Sequence, residues 1–382
     1  MLATTERILT TTSGSMPLPP GMERLGELLY ARATGQHADP GEFAALADEA
    51  VDQAVARQLA AGIDLISSGE MDRSSFITTS RLTGFDGPPV NFRPKDLADA
   101  GLADALAHVP GVAWPKANTG PVARNPGPLA AELARFLSAL ARHGVDRSAG
   151  FLPEPSPGVI ASLGSSWYDD EPKFLADLAA AMREEYLEIA RAGLTVQIDA
   201  PDLLVDWNVW HPGQNLAEGL TRMRQRVDVI NEATDGIPPS QLRVHVCHGN
   251  YPGPHTYDVE LPDVIDVLYG LRAGTLVVEL SNPRHRWEYV TFRDHPLPAG
   301  ITLAAGVIDS CSMSVEHPRT VAAALTQLAA AAGTGHLVAA TDCGFGSMTG
   351  LHAHPGITDM KLKALAQGAR IASDELIAPR AS

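Results

Sequence analysis

His245, Val246 and Cys247 put an imidazole and a thiol two residues apart. In an extended strand, residues at i and i+2 leave the same face. A second thiol, Cys343, lies 343 − 247 = 96 residues later, and Glu279 falls between them. Each of these residues follows a short apolar run, so each stands at the end of a predicted buried strand. One imidazole, two thiols and a carboxylate make a donor set suited to Zn²⁺, soft enough for that ion and with one ligand that can exchange. Structural zinc more often uses donors clustered in sequence, so the dispersed set points to a catalytic ion. Such an ion deprotonates a coordinated thiol. A free thiol, with a pKa of about 8.5, stays mostly protonated at neutral pH. Hydrolysis by metal-activated water is the competing chemistry of the same donors.

Other strand ends carry further polar groups. They are Ser13-Gly14-Ser15, Glu70, Asp199, Asp309 and Asp342. Taken singly, an acid there is as readily a helix N-cap as a functional group. Arg73 and Arg284 suit an anionic substituent through charge-assisted hydrogen bonds, or else a salt bridge to a neighbouring acid. Asn250 and His248 follow the His245 strand and are placed to polarise a leaving group. Gly344-Phe345-Gly346, with Gly350, does not have the spacing of a dinucleotide loop.

The elements that must position these groups repeat one pattern. Asp39-Pro40-Gly41-Glu42 reads as a helix start, and apolar residues recur at helical spacing up to Gly62. A short apolar run over 63–66 follows. Helices near 129–143, 170–192, 216–233, 264–272, 319–332 and 357–377 alternate with strands near 8–12, 148–152, 195–199, 242–246, 276–279, 303–308 and 337–340. Uninterrupted apolar strands between helices indicate a parallel sheet covered on both faces. Eight such units predict an α/β fold, a single (β/α)₈ barrel domain over 1–382, with its active site at the C-terminal strand ends. The segment 74–126, rich in Pro and Gly, breaks the pattern and reads as an excursion after the second strand.

Composition narrows the function classes. The 382 residues include 45% hydrophobic and 19% charged residues, as in a globular protein. The net charge is 29 − 45 = −16. That excess argues against gripping nucleic acid, where Lys and Arg must neutralise phosphates, and against anionic membrane surfaces. Three cysteines exclude a disulfide framework. The N-terminus lacks a basic region followed by an apolar one, so the expected location is cytoplasmic. Homo-oligomerisation is left open.

The segments TTTSGSMP (10–17), GEMDR (69–73), VQIDAPD (196–202), VHVCHGNYPGPH (244–255), VVELSNPRH (277–285), GVIDSCSMSVEHP (306–318) and TDCGFG (341–346) span nearly the whole chain. In this order they resemble the catalytic domain of the cobalamin-independent methionine synthase superfamily. CHGNYPGPH, NPRH and IDS…EHP are closest to its epoxyalkane:coenzyme M transferase branch, often called methionine synthase II-like. The resemblance implies zinc on His245, Cys247, Glu279 and Cys343. It implies a small-molecule thiol and an alkyl or methyl donor as substrates. The thiol's amino-acid part would meet Ser13 to Ser15, Glu70 and Asp199. Arg73, Asn250, Arg284 and His285 are further substrate-binding candidates on their residue chemistry, apart from the resemblance. The expected activity is attack of the thiolate on an electrophilic carbon, an epoxide or similar. The alternatives are methyl transfer from 5-methyltetrahydrofolate to homocysteine, and a non-catalytic ligand-binding barrel. Cys311, two residues after Asp309, stands where methionine synthases carry a histidine proton donor, and His317 or His285 is the candidate replacement. The folate-binding Trp-Ser segment has no clean counterpart in SLGSSWY (162–168).

Overall fold

The computed structural model describes residues 6–102, 113–346 and 354–377. Its strands are β1 (Leu9–Thr10), β2 (Ile66–Ser67), β3 (Gly150–Pro155), β4 (Thr195–Asp199), β5 (Leu242–Val246), β6 (Thr275–Val278), β7 (Thr302–Ile308) and β8 (Leu337–Thr341). They pair in parallel in the order β1-β8-β7-β6-β5-β4-β3-β2. A further parallel bridge, Thr11 to Leu65, joins the two ends of that order. The result is an eight-stranded α/β sheet of the TIM-barrel-like kind.

The helices are α1 (Glu23–Ala33), α2 (Pro40–Ala61), α3 (Lys95–Asp99), α4 (Gly127–Arg142), α5 (Pro157–Ala161), α6 (Glu171–Arg191), α7 (Leu216–Ala233), α8 (Leu261–Leu268), α9 (Thr291–Asp294), α10 (Pro318–Ala332) and α11 (Pro355–Leu376). Helix α2 starts as the sequence predicts. The Asp39 carboxylate accepts the Glu42 N–H at 2.7 Å, Pro40 occupies the first turn, and Gly62 closes the helix at φ 88°. Strand β2 is shorter than the apolar run 63–66 suggests. The Asp64 carboxylate binds the Thr10 N–H (2.9 Å) and hydroxyl (3.0 Å) and pairs with Arg7, so side-chain bonds replace part of the ladder there. Helix α1 escaped the sequence reading because it buries only Leu25 and Leu28.

Part of the segment 74–126, residues 103–112, lies outside the described residues. The rest holds a short 3₁₀ turn at Thr79–Arg81 and α3, and is otherwise irregular. It is tied to the strand ends. The Asp96 carboxylate accepts the His255 N–H at 2.6 Å and the Tyr251 hydroxyl at 2.9 Å, and the Lys95 N–H donates to the Asn208 carbonyl at 3.0 Å. Among the described residues, no helix is long and apolar enough to cross a membrane.

Inside the strands, Leu9, Val277, Ala304, Val338 and Ala340 form a small apolar cluster. Gly306 on β7 makes room for a polar support. The Asp342 carboxylate accepts the N–H groups of Leu280 and Ser281 at 3.0 Å each and the Ser281 hydroxyl at 2.6 Å. A Cβ on Gly306 would overlap Asp342 Oδ1. Gly306→Ala should therefore cost about 1–3 kcal/mol, the usual range for overpacking. The check is the midpoint of a guanidinium titration; an unchanged midpoint would mean that the Asp342 carboxylate and the backbone beside it can move aside.

Candidate metal centre and substrate cavity

Strand β5 carries His245 inward, and Cys247 follows on the same side just past its end. Cys343 follows β8, two residues beyond Thr341. Ligand atoms of His245, Cys247 and Cys343 all lie within 4.8 Å of one another, and all three residues are buried. The imidazole is aimed from both sides. Asp199 Oδ1 lies 3.2 Å from Nδ1, while Nε2 faces Cys343 Sγ at 3.8 Å and the Asp342 carbonyl at 2.9 Å. A carboxylate on the far ring nitrogen is the usual support of a metal-binding histidine, because it fixes tautomer and ring orientation.

The charges fit the same use. The hydrogen bond from Cys343 brings the Cys247 thiol down to about 6, against the opposing effect of burial. Cys343 is pushed well above its ordinary value by that bond and by burial. Burial disfavours charge on His245, yet the Cys247 thiolate and the Asp199 carboxylate outweigh it and hold the imidazole well above its usual range. Two sulfurs and an imidazole nitrogen thus converge in a buried site, a soft donor set that fits Zn²⁺.

Glu279, at the end of β6, is buried beside these donors but outside their 4.8 Å cluster. Its Oε2 accepts the His248 N–H at 2.8 Å. Burial works against its charge, but the His248 bond and the surrounding imidazoles win and keep it at about 2. Behind it sits a second buried group. The His248 and His285 rings stack at 3.6 Å with 1° between planes, and Asp258 Oδ2 meets His285 Nε2 at 3.0 Å and His255 Nδ1 at 2.7 Å. Donor atoms of His248, Asp258 and His285 also lie within 4.8 Å. Parallel stacked rings, however, hold their lone pairs in separate planes, which one ion cannot satisfy. The arrangement is a hydrogen-bonded support for Glu279.

The donors open into a cavity lined by Ser13, Ser15, Glu70, Asp199, Asn250 and apolar side chains that include Phe76, Phe92 and Trp210. Glu70 is one of two non-glycine residues with positive φ (57°) among the described residues, and its carboxyl is raised to about 8, chiefly by burial. Gly14, at φ 125°, leaves space for that carboxyl; a Cβ there would come within 2.7 Å of Glu70 Oε1. Strain held at a cavity wall is a frequent mark of function.

The remaining expected residues are elsewhere. Arg73 is bound to Glu132 (2.8 Å), Glu154 (3.0 Å) and the Pro153 carbonyl (2.7 Å), and does not line the cavity. Arg81 joins the same buried group through Glu132 and Glu154. Arg284 is exposed, and His285 belongs to the stacked pair. Asp309 accepts the Cys311 N–H at 2.8 Å. The Cys311 thiol, held well above its usual value by burial, donates to Asn250 Oδ1 at 3.0 Å. His317 is an exposed N-cap of α10, its Nδ1 accepting the Arg319 N–H at 3.2 Å.

No family model matches the chain. A 2-hydroxypropyl-CoM lyase from Xanthobacter autotrophicus is 24% identical over 97% of this chain and 96% of its own length. Among solved structures, a B12-independent methionine synthase from Shewanella sp. W3-18-1, in complex with selenomethionine, matches at a TM-score of 0.73 and 21% identity. That match covers 98% of this chain and 100% of that one. A candidate vitamin-B12-independent methionine synthase from Listeria monocytogenes matches at 0.66 and 18%, covering 96% and 98%. The chain resembles both branches of the superfamily. The structural matches establish the fold; the curated relative extends the likeness along the whole sequence.

Two site residues escaped the sequence reading. Arg243 precedes His245 by two and points into the same interior, and Gln197 precedes Asp199 by two. Arg243 Nε donates to Gln197 Oε1 at 2.6 Å, and Gln197 Nε2 donates to Asp199 Oδ1 at 2.6 Å. The period of two along β4 and β5 was the available signal.

Glu70 supplies a test with a definite sign. Its carboxyl titrates near 8 in the folded chain, against about 4.3 unfolded, so the folded state binds the extra proton and loses stability as pH rises between those values. Glu70→Gln should raise the melting temperature at pH 9 relative to the parent and change it little at pH 4. Equal effects at both pH values would show that folding does not raise the Glu70 carboxyl.

Proposed function

We propose that this protein is a zinc-dependent thiol S-alkyltransferase, an enzyme of the transferase class. The convergence of His245, Cys247 and Cys343 in the wall of one cavity carries this reading. The similarity to a 2-hydroxypropyl-CoM lyase and to methionine synthases supports it, since both names describe chemistry at a sulfur atom. Zinc held by His245, Cys247 and Cys343, with Glu279 as the exchangeable fourth ligand, would keep a substrate thiol as thiolate at neutral pH.

The chain's own residues divide the remaining tasks. Asp199 aims His245, and Gln197 aims Asp199. The His248 N–H holds Glu279. Ser13, Ser15 and Glu70 face the cavity beside the sulfurs and receive the polar head of the thiol. Asn250, fixed by the Gly344 carbonyl at 2.6 Å and by Cys311, presents its amide near the reacting atoms. With an epoxide, the thiol gives up its proton and sulfur supplies the electron pair of the new S–C bond. The C–O bond breaks with its pair on oxygen, and that oxygen takes up one proton. The hydroxyalkyl thioether keeps every atom of both substrates.

Methyl transfer from a methylfolate to homocysteine is the second reading. The carboxylate pair Glu70 and Asp199, which suits an ammonium group, favours an amino-acid thiol. Both readings, unlike a non-catalytic barrel, require metal and turnover. The purified protein should hold about one equivalent of zinc and convert a thiol and an epoxide or methylfolate to a thioether seen by mass spectrometry. Cys343→Ser should lose most of the zinc and the activity. Less than about half an equivalent in the parent, or a fully active Cys343→Ser protein, would overturn the proposal.

A further inference from the structure

The loops that carry the two sulfurs of the candidate metal centre are tied to each other by one side chain. Asn250 stands three residues after Cys247. Its Nδ2 donates to the Gly344 carbonyl at 2.6 Å, and Gly344 directly follows Cys343. A carbonyl can only accept, so this bond fixes which end of the amide faces Gly344. The other end is held from a third loop. Asn250 Oδ1 accepts the Ser310 hydroxyl and the Cys311 thiol, each at 3.0 Å. That third loop is itself anchored in the interior. Lys361, 1% exposed on α11, donates to the Asp309 carbonyl at 2.9 Å and to both Glu316 oxygens at 3.0 Å. Glu316 accepts the Asp309 N–H at 3.0 Å, and Asp309 in turn accepts the Cys311 N–H. The Cys343 loop is also braced by Ser15. The Ser15 carbonyl takes the Phe345 N–H at 2.8 Å, and its hydroxyl takes the Gly346 N–H at 3.1 Å. The chains run so close there that a Cβ on Gly344 would come within 2.1 Å of Ser15 Oγ.

The sheet alone does not set the spacing of the two sulfurs. Cys247 leaves β5 and Cys343 leaves β8, and β6 and β7 lie between those strands in the sheet. Their loops need a direct tie, and Asn250 supplies one. Three hydrogen bonds from two other loops converge on its amide, so the amide cannot turn over without breaking them. We propose that Asn250 is the positioning residue that holds the Cys247 and Cys343 sulfurs at the separation one metal ion needs, and that the Cys311 thiol serves this clamp rather than protonating a substrate. The inference rests on the zinc reading of the site and assigns work to residues outside its donor set. Two further observations fit the role given to Cys311. It does not line the cavity among the described residues. Burial also holds its thiol well above the ordinary value, in the protonated form that can donate to Oδ1. Residues behind a metal site commonly act in this way, orienting ligands without touching the ion.

The test reads metal binding separately from turnover, on the full chain stripped of metal. Zn²⁺ is titrated in competition with a chelator. Co²⁺, used in its place, reports the two sulfurs through its thiolate charge-transfer and d–d absorption bands. Asn250→Ala should weaken zinc about 10–100-fold, the range for the loss of a group that supports metal ligands, and should shift the cobalt bands. Cys311→Ala should weaken zinc about two- to tenfold, the factor for one neutral hydrogen bond. Cys311→Ser keeps a donor and should restore the parent's affinity and spectrum. If Asn250→Ala does not fold, the Cys311 pair decides alone. Parent-like affinity and spectrum in Asn250→Ala and Cys311→Ala, with zinc bound by the parent, would overturn the clamp and leave the transferase reading standing. A Cys311→Ala protein that loses turnover with its metal affinity and spectrum intact would also overturn it, since that is the signature of a proton donor. The graded loss of affinity, with no thioether from any pair of substrates, would support the clamp and remove the transferase reading. A parent that binds no zinc would remove both.

Discussion

A guanidinium enclosed by a ring of strands must find its partners inside that ring. Arg243 does so, and the site depends on how. Its Nη1 donates to the Thr11 hydroxyl at 2.9 Å, its Nη2 to the Thr12 carbonyl at 2.6 Å, and its Nε to Gln197, while its plane lies 3.5 Å from the Phe151 ring centre. Burial lowers its pKa to about 9, so the nearby Asp199 carboxylate is part of what keeps it charged. Gln197 then donates to both the Ser13 carbonyl and Asp199, at 2.7 and 2.6 Å. One buried cation therefore fixes β1, β4 and β5 relative to one another. It also sets the carboxylate that orients His245. Buried charges survive only when hydrogen-bonded, and here that requirement places the groups above it.

The same principle explains why the donors are poised. Cys247, Cys343 and His245 are buried together, so charge on any one is tolerable only with charge on another. The lowered Cys247 thiol and the raised His245 imidazole are two faces of that coupling. A divalent cation would replace the imidazolium proton as the positive partner. Glu279 stands ready beside it, kept anionic by His248 and the stacked imidazole pair. Glu70, in contrast, is raised by burial and sits in a strained backbone conformation made feasible by Gly14. A cationic ligand head would relieve that carboxyl by supplying the charge it lacks.

Much of this was legible in the residues. Alternating apolar runs and helical spacings gave eight parallel strands, and the i, i+2 rule put His245 and Cys247 on one side. The barrel order then brings Cys343 to them across 96 positions of sequence. The ion pairs were less legible. Arg73 reads from the sequence as an anion-binding group or as half of a salt bridge; the salt bridge forms, but its partners, Glu132 on α4 and Glu154 on β3, reach it only through tertiary packing. His317 carries a proton-donor's chemistry but caps α10 at the surface, a local role that Pro318 in the following position already signals. Arg243 was overlooked because a charged residue inside an apolar strand is uncommon, and only its hydrogen bonds explain it. The apolar side chains of the cavity draw on 76–94 and 205–210, segments outside the repeating pattern.

The central claim is that two cysteines and a histidine, far apart in sequence, bind one zinc that accepts a substrate thiol. X-ray absorption at the zinc edge of the loaded protein tests it most directly. The expected first shell has two sulfur scatterers at about 2.3 Å, with the remainder nitrogen or oxygen, and gains a third sulfur when homocysteine is added in excess. A shell of nitrogen and oxygen alone, or one that homocysteine leaves unchanged, would contradict it.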